Sequence, residues 1–299
     1  MPGRDWDHVS FAQKVAQYKA SKDYKSLKAL LAQVAEDNYE RREIFGRIPR
    51  TVPVSHDECK RVKRGDSVPV ISFSKMDTAE ACMMLARERG NWVCALNFAN
   101  GKDVGGGYKH GASAQEEDLC RRMPLLYSSL INAQKSGLYP FGPPTCKSPD
   151  KPEKFCDVLY TSSLVIGRGG LEDGFRILGR DEQVTVSMVA AAAPNIKFDK
   201  DVNDEKLVYR TMETIFMAPH VAEKGITTLV LGAWGCGAFG GDPVQIAGLF
   251  VQALLKDGLG QGYKEIHFAI PQFSPDDQNY DMFREVFKRS IPDVKDYDS

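Results

Sequence analysis

Between residues 68 and 290, short apolar runs alternate with segments of helical period, and this alternation restricts the chain to a small set of folds. The runs Val68–Phe73, Trp92–Phe98, Val158–Ile166, Val184–Ala192, Thr227–Leu231 and Glu265–Ile270 read as strands buried on both faces. Between them, Met76–Arg89 (Asp77 or Thr78 as its N-cap), Gln115–Leu130, Glu205–Val221 and Pro243–Leu255 read as helices, and Asp281–Lys288 lies in a last one. Pro124 must kink the second of these or mark a new start, whereas Pro243 suits a first turn. The Pro- and Gly-rich residues 136–154 read as an exposed loop, and Gly167, Gly169 and Gly170 as turn positions. Strands alternating with helices imply an α/β sheet with helices on its faces.

Ahead of that region, residues 1–50 read as helical. Val9, Phe11, Val15 and Tyr18 form one rough apolar stripe, and Leu27, Leu30, Leu31 and Val34 a better one. Tyr39, Ile44 and Phe45 extend it toward a break at Pro49 and Pro53. The expected organisation is an N-terminal helical extension, residues 1–66, packed on a single globular core, residues 67–299. Lys60, Arg61, Lys63 and Arg64 read as a solvated basic face, with nucleic-acid contact or nuclear import as the other account. With a net charge of −1 the chain has no overall field to draw it to nucleic acid or membrane. Seven cysteines without a CxxC pair fit reduced, buried thiols in an intracellular setting, cytoplasmic or nuclear. The opening MPGRDWDHVS has no apolar signal region, and no apolar run reaches membrane-spanning length, so neither secretion nor insertion is expected. The five histidines are scattered, and no residue cluster calls for a metal or another cofactor.

Two glycine-rich loops start at strand ends and lead into helices. The first, NFANGKDVGGGYKHGASAQEE, carries Gly105, Gly106 and Gly107 followed by Glu116 and Glu117. The second, GAWGCGAFGGDP, follows Thr227–Leu231. In open α/β sheets ligands bind at the carboxyl ends of the strands, and helix N-termini there favour phosphate. A tight turn explains either loop alone; two of the same logic in one sheet point to one ligand held between them. Gly235-Cys-Gly-Ala-Phe-Gly240 matches GxGxxG, yet the next strand runs into Pro271, Gln272 and Phe273 with no acid before Asp276. A dinucleotide fold wants a ribose-binding acid at that strand end, so a nicotinamide enzyme fits poorly. Phe239 and Trp234 either press against a sugar or base or belong to the core. Cys236 reads as a small residue for close packing, the alternative being a nucleophile.

The paired acids have a structural explanation and a chemical one. Ser113-Ala-Gln-Glu116 matches the S-x-x-E capping box, which would occupy Glu116 with the Ser113 N–H. Glu117 projects about 100° further around the helix and lies outside that box, although any first-turn acid complements the dipole. A glycosidic bond breaks more easily when an acid protonates the leaving oxygen. A neighbouring carboxylate, burial beneath substrate and a bound diphosphate would all hold a proton on such an acid. Adjacent glutamates cannot flank a sugar from opposite faces, so one acid with a sugar-holding partner is the fitting scheme.

The triple glycine, seven residues, then Gln115-Glu116-Glu117 resembles the signature of poly(ADP-ribose) glycohydrolases of the microbial type. The wider stretch from Asn97 to Leu130 is similar to that branch, and the second loop is similar to the family's diphosphate loop. Val104 stands where the microbial branch has proline, and Gly241 where it has asparagine. The resemblance implies a macrodomain-like three-layer α/β/α sandwich with a mixed central sheet, holding ADP-ribose between the loops. It implies hydrolysis of the ribose–ribose O-glycosidic bond, releasing ADP-ribose chiefly from chain ends. Glu117 would be the general acid, with Glu116 and Asn100 on ribose hydroxyls. Gly105, Gly106, Gly107 and Gln115 would complete the first half of the binding set. Gly235, Cys236, Gly237, Ala238 and Gly240 would form the second, with Phe239 fixing the terminal ribose. The implied partners are poly(ADP-ribose), ADP-ribose and poly(ADP-ribosyl)ated proteins, met by a monomer in the DNA damage response. The alternatives are a hydrolase of single ADP-ribosyl groups or acetylated ADP-ribose, and a non-catalytic ADP-ribose reader.

Overall fold

The computed structural model describes residues 6–63, 65–147, 152–198, 204–291 and 293–297. Arg64 of the basic run and residues 148–151 of the Pro/Gly-rich stretch lie outside the described residues. The chain opens with helices α1 (His8–Ala20) and α2 (Tyr24–Glu40), each started by an aspartate, Asp7 or Asp23, that accepts a first-turn N–H. Strand β1 (Thr51–Val54) and helix α3 (His56–Cys59) follow. Next come β2 (Val70–Ser74), α4 (Thr78–Ala86), β3 (Val93–Phe98), α5 (Gln115–Arg122) and α6 (Leu126–Lys135). The second half holds β4 (Val158–Ile166), β5 (Val184–Ala191), α7 (Glu205–Ala222), β6 (Thr228–Leu231) and α8 (Pro243–Leu255). It closes with β7 (Glu265–Ala269), α9 (Asn279–Ser290) and the short β8 (Lys295–Asp296).

These strands form one eight-stranded sheet in the order β1-β4-β5-β3-β6-β7-β2-β8. The β1–β4 and β4–β5 pairs are antiparallel, and every other pair is parallel. Side chains alternate across the sheet and define two apolar layers. Cys94, Leu96, Phe73 and Phe268 pack with residues of α7, α8 and α9 on one face. Val93, Ala95 and Val230 pack with α4, α5 and α6 on the other. The result is the α/β sheet with helices on its faces that the sequence pattern implies, in the mixed-sheet, three-layer form that the resemblance implies. Among the described residues, no helix is long and apolar enough to cross a membrane.

Local chemistry explains most boundaries. Asp77 caps α4 and exchanges hydrogen bonds with Glu80 in a complete capping box. Asp242 caps α8 one residue ahead of Pro243. The helix expected over residues 115–130 is two helices, because Pro124 has no N–H to continue α5 and the chain restarts at Leu126. Residues 51–54, grouped by sequence with the helical N-terminal segment, are the edge strand β1 of the central sheet. Pro53 is tolerated there because an edge strand has one side without a ladder partner. The loop expected to be exposed over residues 136–154 buries Phe141 against Ala99, Leu159, Ala190 and Ala192, since an aromatic ring beside a sheet end removes apolar surface from water.

Helices α1 and α2 form a hairpin with its own apolar contact: Phe11, Val15, Leu30, Leu31 and Val34 pack on Phe175, which lies between β4 and β5. Arg168 of the same connection is fully buried, donates to Asp37 and Asn38 of α2, and lies over the Trp6 ring. The Lys19 ammonium pairs with Glu172 at 2.8 Å.

Candidate active site

The carboxyl ends of β3, β6 and β7 open into a cavity of about 630 Å³. Its lining includes both glycine loops, the first turn of α5, and residues 170–173 and 175, with Lys19 and Leu31 reaching in from the hairpin. Ser113 does not cap α5. The N-cap is Ala114, without a side-chain cap bond. Glu116 instead turns inward: Oε2 accepts the Asn100 N–H at 2.8 Å, and Oε1 accepts Asn97 Nδ2 at 3.2 Å. The capping-box reading is therefore corrected. The helix start is pressed against the end of β3, where the Asn100 N–H is a closer donor than the backbone of exposed Ser113. At 3% exposure Glu116 is pushed up to about 8, by burial first and the Glu117 charge as well, against the two hydrogen bonds it accepts.

Glu117, 7% exposed, faces the glycine loop, and its Oε1 accepts the Gly107 N–H at 2.8 Å. Gly106 is what allows this approach. Its φ is +54°, and a Cβ there would stand 2.5 Å from Glu117 Oε1. Gly106 and Gly107 line the cavity, whereas Gly105 backs onto the Tyr127 ring. Asn100 also lines it, while its Oδ1 accepts the N–H groups of Lys102 and Asp103 and so starts the loop's turn. Gln115 touches the cavity, but its carboxamide is engaged with the protein. Nε2 donates to Leu96 O at 2.7 Å and Thr78 Oγ1 at 3.1 Å, and Oε1 accepts the Phe98 N–H at 2.9 Å. It ties α5 to β3.

The second loop faces the first. Gly235, Gly237, Ala238 and the half-buried Phe239 line the cavity. Cys236 packs against the core, partly buried, and burial and then the Asp242 charge push its thiol up to about 12, which favours the small packing residue over a thiolate nucleophile. Gly240 packs on the Lys197 stem. Trp234 is fully buried, and its Nε1 donates to Ala191 O at 3.0 Å, so it serves as a core residue carrying the loop.

Sequence reasoning missed several groups that line the cavity or stand behind its wall. Asp118 opens onto the cavity and is pushed up to about 7 by its depth in the protein and the nearby Asp77 charge, with Arg122 and Arg121 opposing. Arg122 grips both Asp77 oxygens at 2.6 Å. Asn97 was legible in principle, since an asparagine inside an apolar strand needs a partner. Residues 170–173, Lys19 and Leu31 carry no local signal. Among the described lining residues, acids outnumber cations: Asp77, Glu80, Glu116, Glu117, Asp118, Glu172, Asp173 and Asp277 against Lys19 and Arg121. Any diphosphate held here must lean on backbone N–H groups more than on side-chain cations.

Residues 8–165 match the family model described as microbial-type PARG, catalytic domain. Among solved structures, poly(ADP-ribose) glycohydrolase from Thermomonospora curvata is 24% identical, with a TM-score of 0.70 over 86% of this chain and 99% of that one. Its complex with the inhibitor ADP-HPD gives 23% and 0.67, over 85% and 98% of the two chains. These two likenesses concern the fold. The enzyme from Deinococcus radiodurans, solved with ADP-ribose, is 28% identical, with a TM-score of 0.65 over 80% of this chain and 94% of that one. No curated protein matches the chain. The match covers more than half of the sequence and includes the first glycine loop and both glutamates, and the chain belongs to the family of microbial-type poly(ADP-ribose) glycohydrolase catalytic domains.

Proposed function

We propose that this protein hydrolyses the O-glycosidic ribose–ribose bonds of poly(ADP-ribose) and releases ADP-ribose from chain ends, with Glu117 as general acid. The observation that carries this reading is the Glu117 carboxyl held at 2.8 Å by the Gly107 N–H on the wall of the cavity, next to a second buried glutamate. Glu117 protonates the leaving ribose oxygen as the C–O bond breaks and positive charge develops on the anomeric carbon left behind, then takes a proton from the water that attacks that carbon. Glu116 is fixed on both oxygens by Asn97 and Asn100, and its remaining lone pairs suit ribose hydroxyls. Asn100 and Phe239 both line the cavity, and in this reading they would hold the terminal ribose. In an otherwise acidic cavity the backbone of Gly235 and Gly237 is the neutral surface that would meet a diphosphate, with Gly106 and Gly107 forming the facing wall while their own N–H groups are engaged with Asp103 O and Glu117. The fitting partners are poly(ADP-ribosyl)ated proteins.

The test is Glu117→Gln, which keeps shape and removes the transferable proton. ADP-ribose binding by calorimetry should persist, while release of ADP-ribose from polymer falls by at least ~100-fold, the scale of a lost general acid. Near-normal turnover would remove Glu117 from this role. A mono-ADP-ribosylated protein offered beside the polymer tests the substrate: faster removal of the single group would overturn the polymer assignment.

A further inference from the structure

Asn38 lies on α2, in the part of the chain that carries none of the groups of the proposed chemistry, and it is 1% exposed. Its Nδ2 donates to Tyr108 Oη at 2.9 Å, to Arg121 O at 3.0 Å and to Cys120 O at 3.2 Å, while Oδ1 accepts from Arg168 Nε at 2.6 Å. Carbonyls only accept and a guanidinium only donates, so the amide has a single orientation. The Cys120 and Arg121 carbonyls end α5, where a helix leaves acceptors without an internal partner. That helix carries Glu117 in its first turn. Tyr108 directly follows Gly107, whose N–H holds Glu117 Oε1. The two ends of this hydrogen bond therefore belong to separate segments, and one buried amide grips both.

We propose that Asn38 is a positioning residue for the reaction, fixing α5 against the glycine loop and so setting where the Glu117 carboxyl stands. The grip is rigid from behind. Arg168 is fully buried and also donates to Asp37 and Phe175 O, so the amide is pinned to the connection that lines the cavity. Arg121 repeats the link from the other side, donating to Leu31 O of α2 and to Ala112 O ahead of α5. Contact with the loop is direct as well. Gly111, at φ +73°, lies so close to α2 that a Cβ would meet Lys28 O at 1.8 Å. The N-terminal hairpin thus takes part in assembling the site.

This inference rests on Glu117 carrying the proton, and two variants separate its two arms. Asn38→Asp keeps the side chain's shape and the Arg168 partner but faces the α5 carbonyls with an acceptor. Tyr108→Phe removes only the hydroxyl on the loop arm. With polymer as substrate, Asn38→Asp should lower kcat about 100-fold, the scale of an ångström-sized misplacement, with ADP-ribose affinity by calorimetry little changed. Tyr108→Phe should lower kcat in the same direction by less, and the double variant should fall short of the product of the two effects. Unchanged kcat in folded Tyr108→Phe, or a kcat loss matched by an equal loss of ADP-ribose affinity, would overturn the proposal even if Asn38→Asp does not fold. Polymer turnover by the unaltered protein separates the two readings. Its absence removes the function and this proposal together, whereas its presence with unchanged variant kcat removes this proposal alone.

Discussion

Glu116 sits close to Glu117 without sharing its task. Both of its oxygens accept hydrogen bonds, which favour the charged form, yet burial outweighs them and its pKa rises from 4.5 to about 8. Between those values the folded protein holds a proton that the unfolded chain has released, so stability falls as pH rises through the window and stays lowered above it. Asn97 Oδ1 has no partner among the described residues, and a flipped Asn97 amide would accept from a glutamine at the neighbouring position. Glu116→Gln should therefore melt above the unaltered protein near pH 8, with the advantage shrinking toward pH 4.5. Thermal unfolding across that range checks it, and an advantage independent of pH would refute the titration argument. The same residue shows where local reading ends. Ser113 and Glu116 have the spacing of a capping box, but their nearer environment is set by Asn97 and Asn100 of another segment, and no three-residue pattern reports that.

At the scale of elements, most helices and central strands were legible because period and capping act within a few residues. Asp77 with Glu80, Pro243 after Asp242, and the interruption at Pro124 all have local causes. Strand β1 was not legible, because Pro53 and a length of four residues argue against a strand until a neighbour such as β4 is present. The hairpin's attachment was hidden for a different reason: Arg168 lies 130 residues from Asn38. Phe11 is one apolar link from the hairpin to that connection, packing edge-on against Phe175 with 5.8 Å between centroids. Phe11→Ala should cost about 3 kcal/mol in denaturant unfolding, as for a truncated buried aromatic. Because Phe175 lines the cavity, KM for polymer should rise as well. A stability loss with unchanged KM would show that the wall holds without this contact.

The whole molecule places its ligand by topology. Parallel strands β3, β6 and β7 end at one edge, and the loops leaving them converge there, as the two glycine stretches suggested. What the sequence did not reveal is the charge of the space they enclose. Acids outnumber cations among its described lining residues even with burial keeping a proton on Glu116 at neutral pH, and the ligand is itself an anion. Approach is therefore uphill until the backbone N–H groups are reached, the reverse of a steered encounter, and mobile ions relieve it. The association rate constant for ADP-ribose, followed by stopped-flow mixing, should rise as salt is added. A fall would place the decisive charge elsewhere. The same repulsion hastens departure, so an enzyme that works along a chain one unit at a time would clear each product quickly and resist inhibition by it.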